Sequence, residues 1–208
     1  MMSRNIRMRS ACSIAVVIAV VAMCATAAAA PNGPRDHAGG FFLRLSAGGG
    51  AARTSIEEAG SELEVSGSSG DLHVAIGAMV APNLAIHGTI FGWLLSDPDV
   101  KLDGMSGSLS GDLDMTAFGG GVTYYFMPVN LYVSGSLGAG SLSGSGDIDG
   151  ETDTGLALDV TAGKEWWVGD GWGLGAAAAF EYQSFPDGDI DGNWSGPAFA
   201  VRFSATMN

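Results

Sequence analysis

Four times between residues 40 and 208 the chain runs through one succession: an alternating apolar stretch, a long acidic loop rich in Gly and Ser, a second alternating stretch, and a tight turn. FFLRLSAGG from Phe41 is answered by LHVAIGAMV from Leu72, which ends at Ala81, Pro82 and Asn83. LAIHGTIFGWLL from Leu84 is answered by MTAFGGGVTYYF from Met115, which ends at Met127, Pro128 and Val129. LYVSGSLGAG from Leu131 pairs with LALDVTAGKEWWV from Leu156, and Gly169, Asp170 and Gly171 lead into WGLGAAAAFEY from Trp172 and FAVRFSATM from Phe199. Alternation with a period of two is the mark of a strand with two unlike faces. Each stretch is close to the roughly 9–11 residues with which a tilted strand crosses a bilayer.

The second face of each strand decides which way the apolar face points. In LHVAIGAMV one face is Leu72, Val74, Ile76, Ala78 and Val80, and the other is His73, Ala75, Gly77 and Met79. FAVRFSATM divides into Phe199, Val201, Phe203, Ala205 and Met207 against Ala200, Arg202, Ser204 and Thr206. A strand facing water would carry more charge than that, whereas small residues with isolated ions suit a narrow, filled lumen. The reading is an all-β protein, an eight-stranded antiparallel up-and-down transmembrane β-barrel over 40–208. A soluble secreted barrel or sandwich is the alternative. Trp and Tyr favour the membrane interface, and an aromatic girdle is expected at the short-turn end from Tyr124, Tyr125, Phe126, Trp166, Trp167 and Trp172. Lys164 is phased with the lipid-facing residues, near enough to that interface to snorkel.

Residues 1–29 have the layout of a cleaved signal peptide: Arg4, Arg7 and Arg9, an apolar run from Ala11, then small residues. Cleavage after Ala27, Ala28 or Ala29 avoids a cut directly before Pro31. The apolar run is too short for a transmembrane helix, and Met23 before Cys24 argues against a lipoprotein signal. Export through a Sec-type route to the outer membrane is expected. Both cysteines, Cys12 and Cys24, lie in this leader, so the mature chain has no disulfide and no thiolate chemistry. Loss of the three arginines makes the mature chain more acidic than the −13 of the full sequence, which excludes a nucleic-acid binder. Residues 30–39 read as a flexible lead-in.

With GGGVTYYF, KEWWVGDGWGLG, the strand count and the alternation of long loops with short turns, residues 40–208 resemble the small eight-stranded outer-membrane barrels that include the OmpA transmembrane domain and OmpX. The resemblance implies an integral outer-membrane protein of a Gram-negative bacterium, handled by the barrel-assembly machinery, monomeric, and in contact with outer-membrane lipid and lipopolysaccharide. Such barrels commonly finish on an aromatic residue, whereas Phe203 is the last aromatic here and Thr206, Met207 and Asn208 follow. Assembly is therefore expected to use Met207 or an internal signal.

Strand phasing turns Arg44, His73, His87, Asp159, Glu165, Glu181 and Arg202 into the lumen. Counted from the short-turn ends, Arg44, His87, Glu165 and Arg202 share one depth and His73, Asp159 and Glu181 lie higher. Arg44 and Arg202 are expected as neighbours across the closing strands, with Glu165 and Glu181 as their carboxylates. An ionic network that plugs the lumen is the leading reading, and a gate in a low-conductance pore the alternative. Most of the 22 acidic residues sit in the long loops, where a Gly-Asp-Leu/Ile-His/Asp tetrad recurs at residues 70, 111, 146 and 188, giving a negative outer rim. Asp187, Asp189, Asp191 and Gly192 imitate the start of an EF-hand loop, but Pro197 and Ala198 stand where its terminal Glu belongs. No cofactor is expected, apart from weak calcium at these loops that would bridge to lipopolysaccharide phosphates. Catalysis is not expected: His87 with Thr89 is the nearest nucleophile and base pair, His73 stands apart, and His37 lies in the lead-in.

Overall fold

A computed structural model describes residues 36–38, 40–58, 60–188 and 192–208. The expected leader, 1–29, and the loop carboxylates Asp189 and Asp191 lie outside the described residues. In chain order the strands are β1 (Gly40–Glu58), β2 (Ser61–Ala81), β3 (Leu84–Ser96), β4 (Asp99–Leu102), β5 (Met105–Ser108), β6 (Asp112–Phe126), β7 (Leu131–Gly144), β8 (Gly150–Glu151), β9 (Gly155–Trp167), β10 (Trp172–Pro186) and β11 (Asn193–Met207). A 3-10 turn, Gly146–Ile148, precedes β8.

Eight long strands run antiparallel in the order β1-β2-β3-β6-β7-β9-β10-β11, and β11 returns to β1. The closing seam aligns Leu43 with Met207 and Ala52 with Ala198. Closure leaves no backbone edge within the barrel wall, which a hydrocarbon environment requires because it offers unpaired N–H and C=O groups no partner. The seam is close: a side chain at Gly48 would place Cβ 2.0 Å from the Val201 carbonyl oxygen, so only Gly fits there. At the short-turn end Asn83 and Asn130 take the left-handed backbone that tight turns demand, with φ of 63° and 53°.

The expected eight-stranded antiparallel barrel is the fold, and the strands outrun the expected lengths. β1 has 19 residues and β2 has 21, well beyond the roughly 9–11 that a bilayer takes. Their outer ends form a sheet above the membrane, extended by the β4–β5 hairpin through pairs such as Val65 with Val100. The sheet is pinned by Arg53 and Lys101, whose nitrogens lie 2.7 and 3.2 Å from the Glu64 carboxylate.

Alternation places the large apolar side chains outward. Leu72, Ile76, Ile86, Ile90, Phe118, Val122, Leu137, Val160, Phe199 and Val201 are exposed, and Phe203 is 71% exposed. A belt of that extent around a closed wall faces lipid, since soluble monomers seldom expose so large a contiguous apolar patch. Tyr124, Phe126 and Trp166 also point outward, and Trp172 is half-buried at the same end. Lys164 lies beside them, donating to the Val129 carbonyl at 2.6 Å with its ammonium 5.8 Å from the Trp166 ring.

Candidate functional site

The lumen is filled in successive layers. Nearest the short turns β1 turns Arg44 inward, where β9 supplies Glu165 and β6 supplies Tyr125. Arg44 Nε lies 3.3 Å from Glu165 Oε1, and Nη2 donates to the Tyr125 hydroxyl at 2.6 Å. Thr206 donates to the same carboxylate oxygen at 2.7 Å. Rings enclose the guanidinium: Cζ is 3.9 Å from the Tyr132 centroid, 5.3 Å from Phe42 and 5.6 Å from Tyr125. Such desolvated cation-π contacts contribute about 2 kcal/mol at the strong end. His87 joins through Thr123 at 3.1 Å, and Thr123 continues to Ser134 at 2.9 Å.

The next layer is built on Arg202, only 1% exposed, from β11. Its Nε donates to Asp71 Oδ1 at 2.5 Å and its Nη2 to Asp71 Oδ2 at 2.9 Å, a two-point grip. Nη2 also reaches Glu181 Oε1 at 2.6 Å, while Nη1 serves Asp159 Oδ2 at 2.6 Å and the Thr161 hydroxyl at 2.8 Å. Every N–H of the guanidinium is thereby used. Above it lies an apolar layer that includes Phe91, Trp93, Leu95, Met115, Leu142 and Phe185, all buried.

All seven phased residues face the lumen, yet two expected relations need correction. Arg44 and Arg202 are not neighbours: Arg44 pairs in register with Thr206 and Arg202 with Gly48, so they stand in different layers. Counting from strand ends ignored the stagger of tilted strands. Of the two expected carboxylates, Glu165 goes to Arg44 and Glu181 to Arg202, where Asp71 and Asp159 join it. Asp71, assigned to the acidic rim, is instead a lumenal ligand of Arg202; it shares the face of His73 two residues on, which was the available signal.

The girdle needs correction as well. Tyr125 is fully buried and faces inward between Tyr124 and Phe126, as alternation requires. Trp167 turns toward the lumen's mouth beside His37, with ring centroids 4.8 Å apart. Phe42, Tyr132, Thr161 and Gln183 also line the lumen, each on the inward phase of its strand.

His37, expected in a flexible lead-in, is docked under the barrel and 1% exposed. Its ring stacks on Tyr125 at 3.6 Å and 17°. Its backbone is tied to Asn83 on both sides, N–H to the side-chain oxygen at 3.0 Å and carbonyl to the Asn83 N–H at 2.9 Å. Nε2 bonds Asn130 Oδ1 at 2.8 Å, and the Asn208 amide reaches Nδ1. Two of the three short turns and the last strand's end therefore meet on one imidazole. Burial lowers its pKa, opposed by the Asn130 bond and by the nearby Glu165 carboxylate, with Arg44 adding to the depression. The undocked ring titrates near 6.5, so the undocked form takes up protons first. Docking is at full strength above about pH 6.5 and weakens as pH falls from there through the lower docked pKa. An NMR titration of the His37 ring in micelles is expected to show a midpoint below 6.5; a midpoint at or above it would mean the ring is not docked.

The pair His87 and Thr89 is not a pair. Thr89 Oγ1 instead lies 3.1 Å from His73 Nε2, and it also donates to the Val74 carbonyl. Asp159 Oδ1 is 3.8 Å from that same Nε2. In an acyl-transfer triad, acid and nucleophile address opposite ring nitrogens; here one nitrogen faces both, inside a packed lumen. In the loops, Asp187 Oδ2 accepts from the Trp194 indole at 2.9 Å. Among the described residues, no three His, Cys, Asp or Glu side chains converge to hold a metal ion.

No family model matches the chain, and no curated protein matches it. Among solved structures it is similar to the neisserial surface protein A, at 16% identity and a TM-score of 0.54, over 82% of this chain and 99% of that one. The chain has the fold of the small eight-stranded outer-membrane β-barrels. OprG from Pseudomonas aeruginosa is also similar, at 13% identity and a TM-score of 0.49, over 81% of this chain and 96% of OprG. In this barrel the lipid-facing belt and the layered lumen are built from the residues named above.

Proposed function

We propose that this outer-membrane barrel is a closed wall element whose activity lies at its surface. Its lumen is an ionic plug and its acidic extracellular loops are the parts that meet other molecules, with outer-membrane lipid and lipopolysaccharide as surroundings. The observation that carries this reading is the full use of Arg202: five N–H groups bind three strands' carboxylates and a hydroxyl across the lumen. A guanidinium so engaged leaves no water-filled path at its level, and His37 closes the mouth below. The layers also fix register, because each ion pair joins strands far apart in sequence. Barrels of this size serve many ends, and the deciding contacts sit in loops. A catalytic role is no part of the proposal, given the ring-nitrogen geometry at His73.

Planar-bilayer recording tests the plug. The wild-type barrel is expected to give no stepwise conductance in 1 M KCl, a condition set for detection. Reproducible single-channel steps from wild type, lost or altered in Arg202→Lys, would favour the low-conductance pore instead.

A further inference from the structure

The lumen's charges do not balance. Arg44 and Glu165 neutralise each other, but Arg202 stands alone against Asp71, Asp159 and Glu181, all buried. His73 bonds the Thr89 hydroxyl, and even a charged His73 would leave that layer one positive charge short. Uncompensated carboxylates in so dry a place are costly.

A second feature lies beside the deficit. Glu181 Oε2 has no hydrogen-bond partner among the described residues, because Arg202 has no N–H left to give. Gln183 follows on the same inward face of β10, 0% exposed, and neither its Oε1 nor its Nε2 has a partner. Buried amides are nearly always satisfied, by protein, water or an ion. The flanking residues in register, Ala157 and Gly196, offer no polar side chain to it. Glu181 and Gln183 are thus successive inward residues of β10, one in the layer that lacks positive charge and the next at the edge of the apolar layer above it.

We propose that this layer holds one monovalent metal cation, sodium or potassium, between Glu181 Oε2 and Gln183 Oε1. One charged and one neutral oxygen, completed by water, suit such an ion. Calcium takes six to eight oxygens, usually several of them carboxylate, and the remaining carboxylates here are committed to Arg202. The apolar layer of Phe91, Trp93 and Phe185 covers the site, so the ion enters as the barrel closes and is structural. The inference rests on the sealed lumen proposed above.

The test uses the full barrel refolded into phosphatidylcholine vesicles at pH 8, with N-methyl-D-glucamine chloride replaced stepwise by NaCl or KCl at constant ionic strength. The urea midpoint of wild type is expected to rise with alkali concentration and level off, and to stay flat in Glu181→Gln and Gln183→Leu. Heat-modifiable gel migration shows which variants are folded, and anomalous scattering from crystals of wild type refolded in rubidium chloride places the ion without any variant. A wild-type midpoint indifferent to alkali, or equal responses in wild type and variants, overturns the proposal. So does a midpoint that follows pH alone, which would assign a proton to Glu181. A conducting wild type that keeps its alkali response would remove the seal and leave the site, whereas a silent one without that response removes only the site.

Discussion

Arg202→Ala is expected to destabilise the barrel by about 3–5 kcal/mol, the cost of breaking a buried charge network from one side. The substitution removes five hydrogen bonds and leaves Asp71, Asp159 and Glu181 facing one another without a cation from the chain. Urea unfolding in lipid vesicles measures the loss. Asp71→Asn in the same chain is expected to recover part of it, since the strongest of the abandoned pairs then no longer carries a buried charge, and a double-mutant cycle gives the coupling. Arg202→Lys is expected to fall between, because one ammonium cannot reproduce the two-point grip on Asp71. A loss below about 1 kcal/mol, the range of exposed surface pairs, would mean that the layer is open to bulk water and not a plug.

Phe185→Ala is expected to cost a similar amount, about 3–5 kcal/mol, by a different route. Phe185 is fully buried in the apolar layer above Arg202, and its removal leaves a cavity among Trp93, Leu95 and Leu142. The stability loss is expected without any conductance, because both ionic layers below are untouched. Urea unfolding and planar-bilayer recording on the same preparation check the two halves of that statement. Conductance in Phe185→Ala would show that the apolar layer, and not Arg202, seals the lumen.

Much of the architecture was legible because a membrane barrel writes its two faces into alternate residues. The phase of Ile76 against His73 and Ala75, or of Val201 against Arg202, is enough to orient a strand. Depth was not legible in the same way. Level strand ends would set Arg202 beside Arg44, but a tilted barrel staggers them, and the partners of Arg202 lie one layer up. Asp71 was read with the loop tetrads whose sequence it shares, although its parity with His73 pointed inward. Tyr125 and Trp167 were grouped with their aromatic neighbours by type, where alternation separates them. The His73 and Thr89 contact joins β2 to β3 and follows from register, which no single strand contains. His37 had no periodic context at all; its place depends on two turns and Asn208 arriving at one point.

The most direct measurement is heat-modifiable migration of the purified chain with and without a bilayer. Unboiled protein refolded into phosphatidylcholine vesicles is expected to run faster than boiled protein, and the fast form is expected to be absent when refolding is attempted in detergent-free buffer. A folded, monodisperse monomer in detergent-free buffer would contradict an apolar belt that faces lipid and a polar network that faces inward.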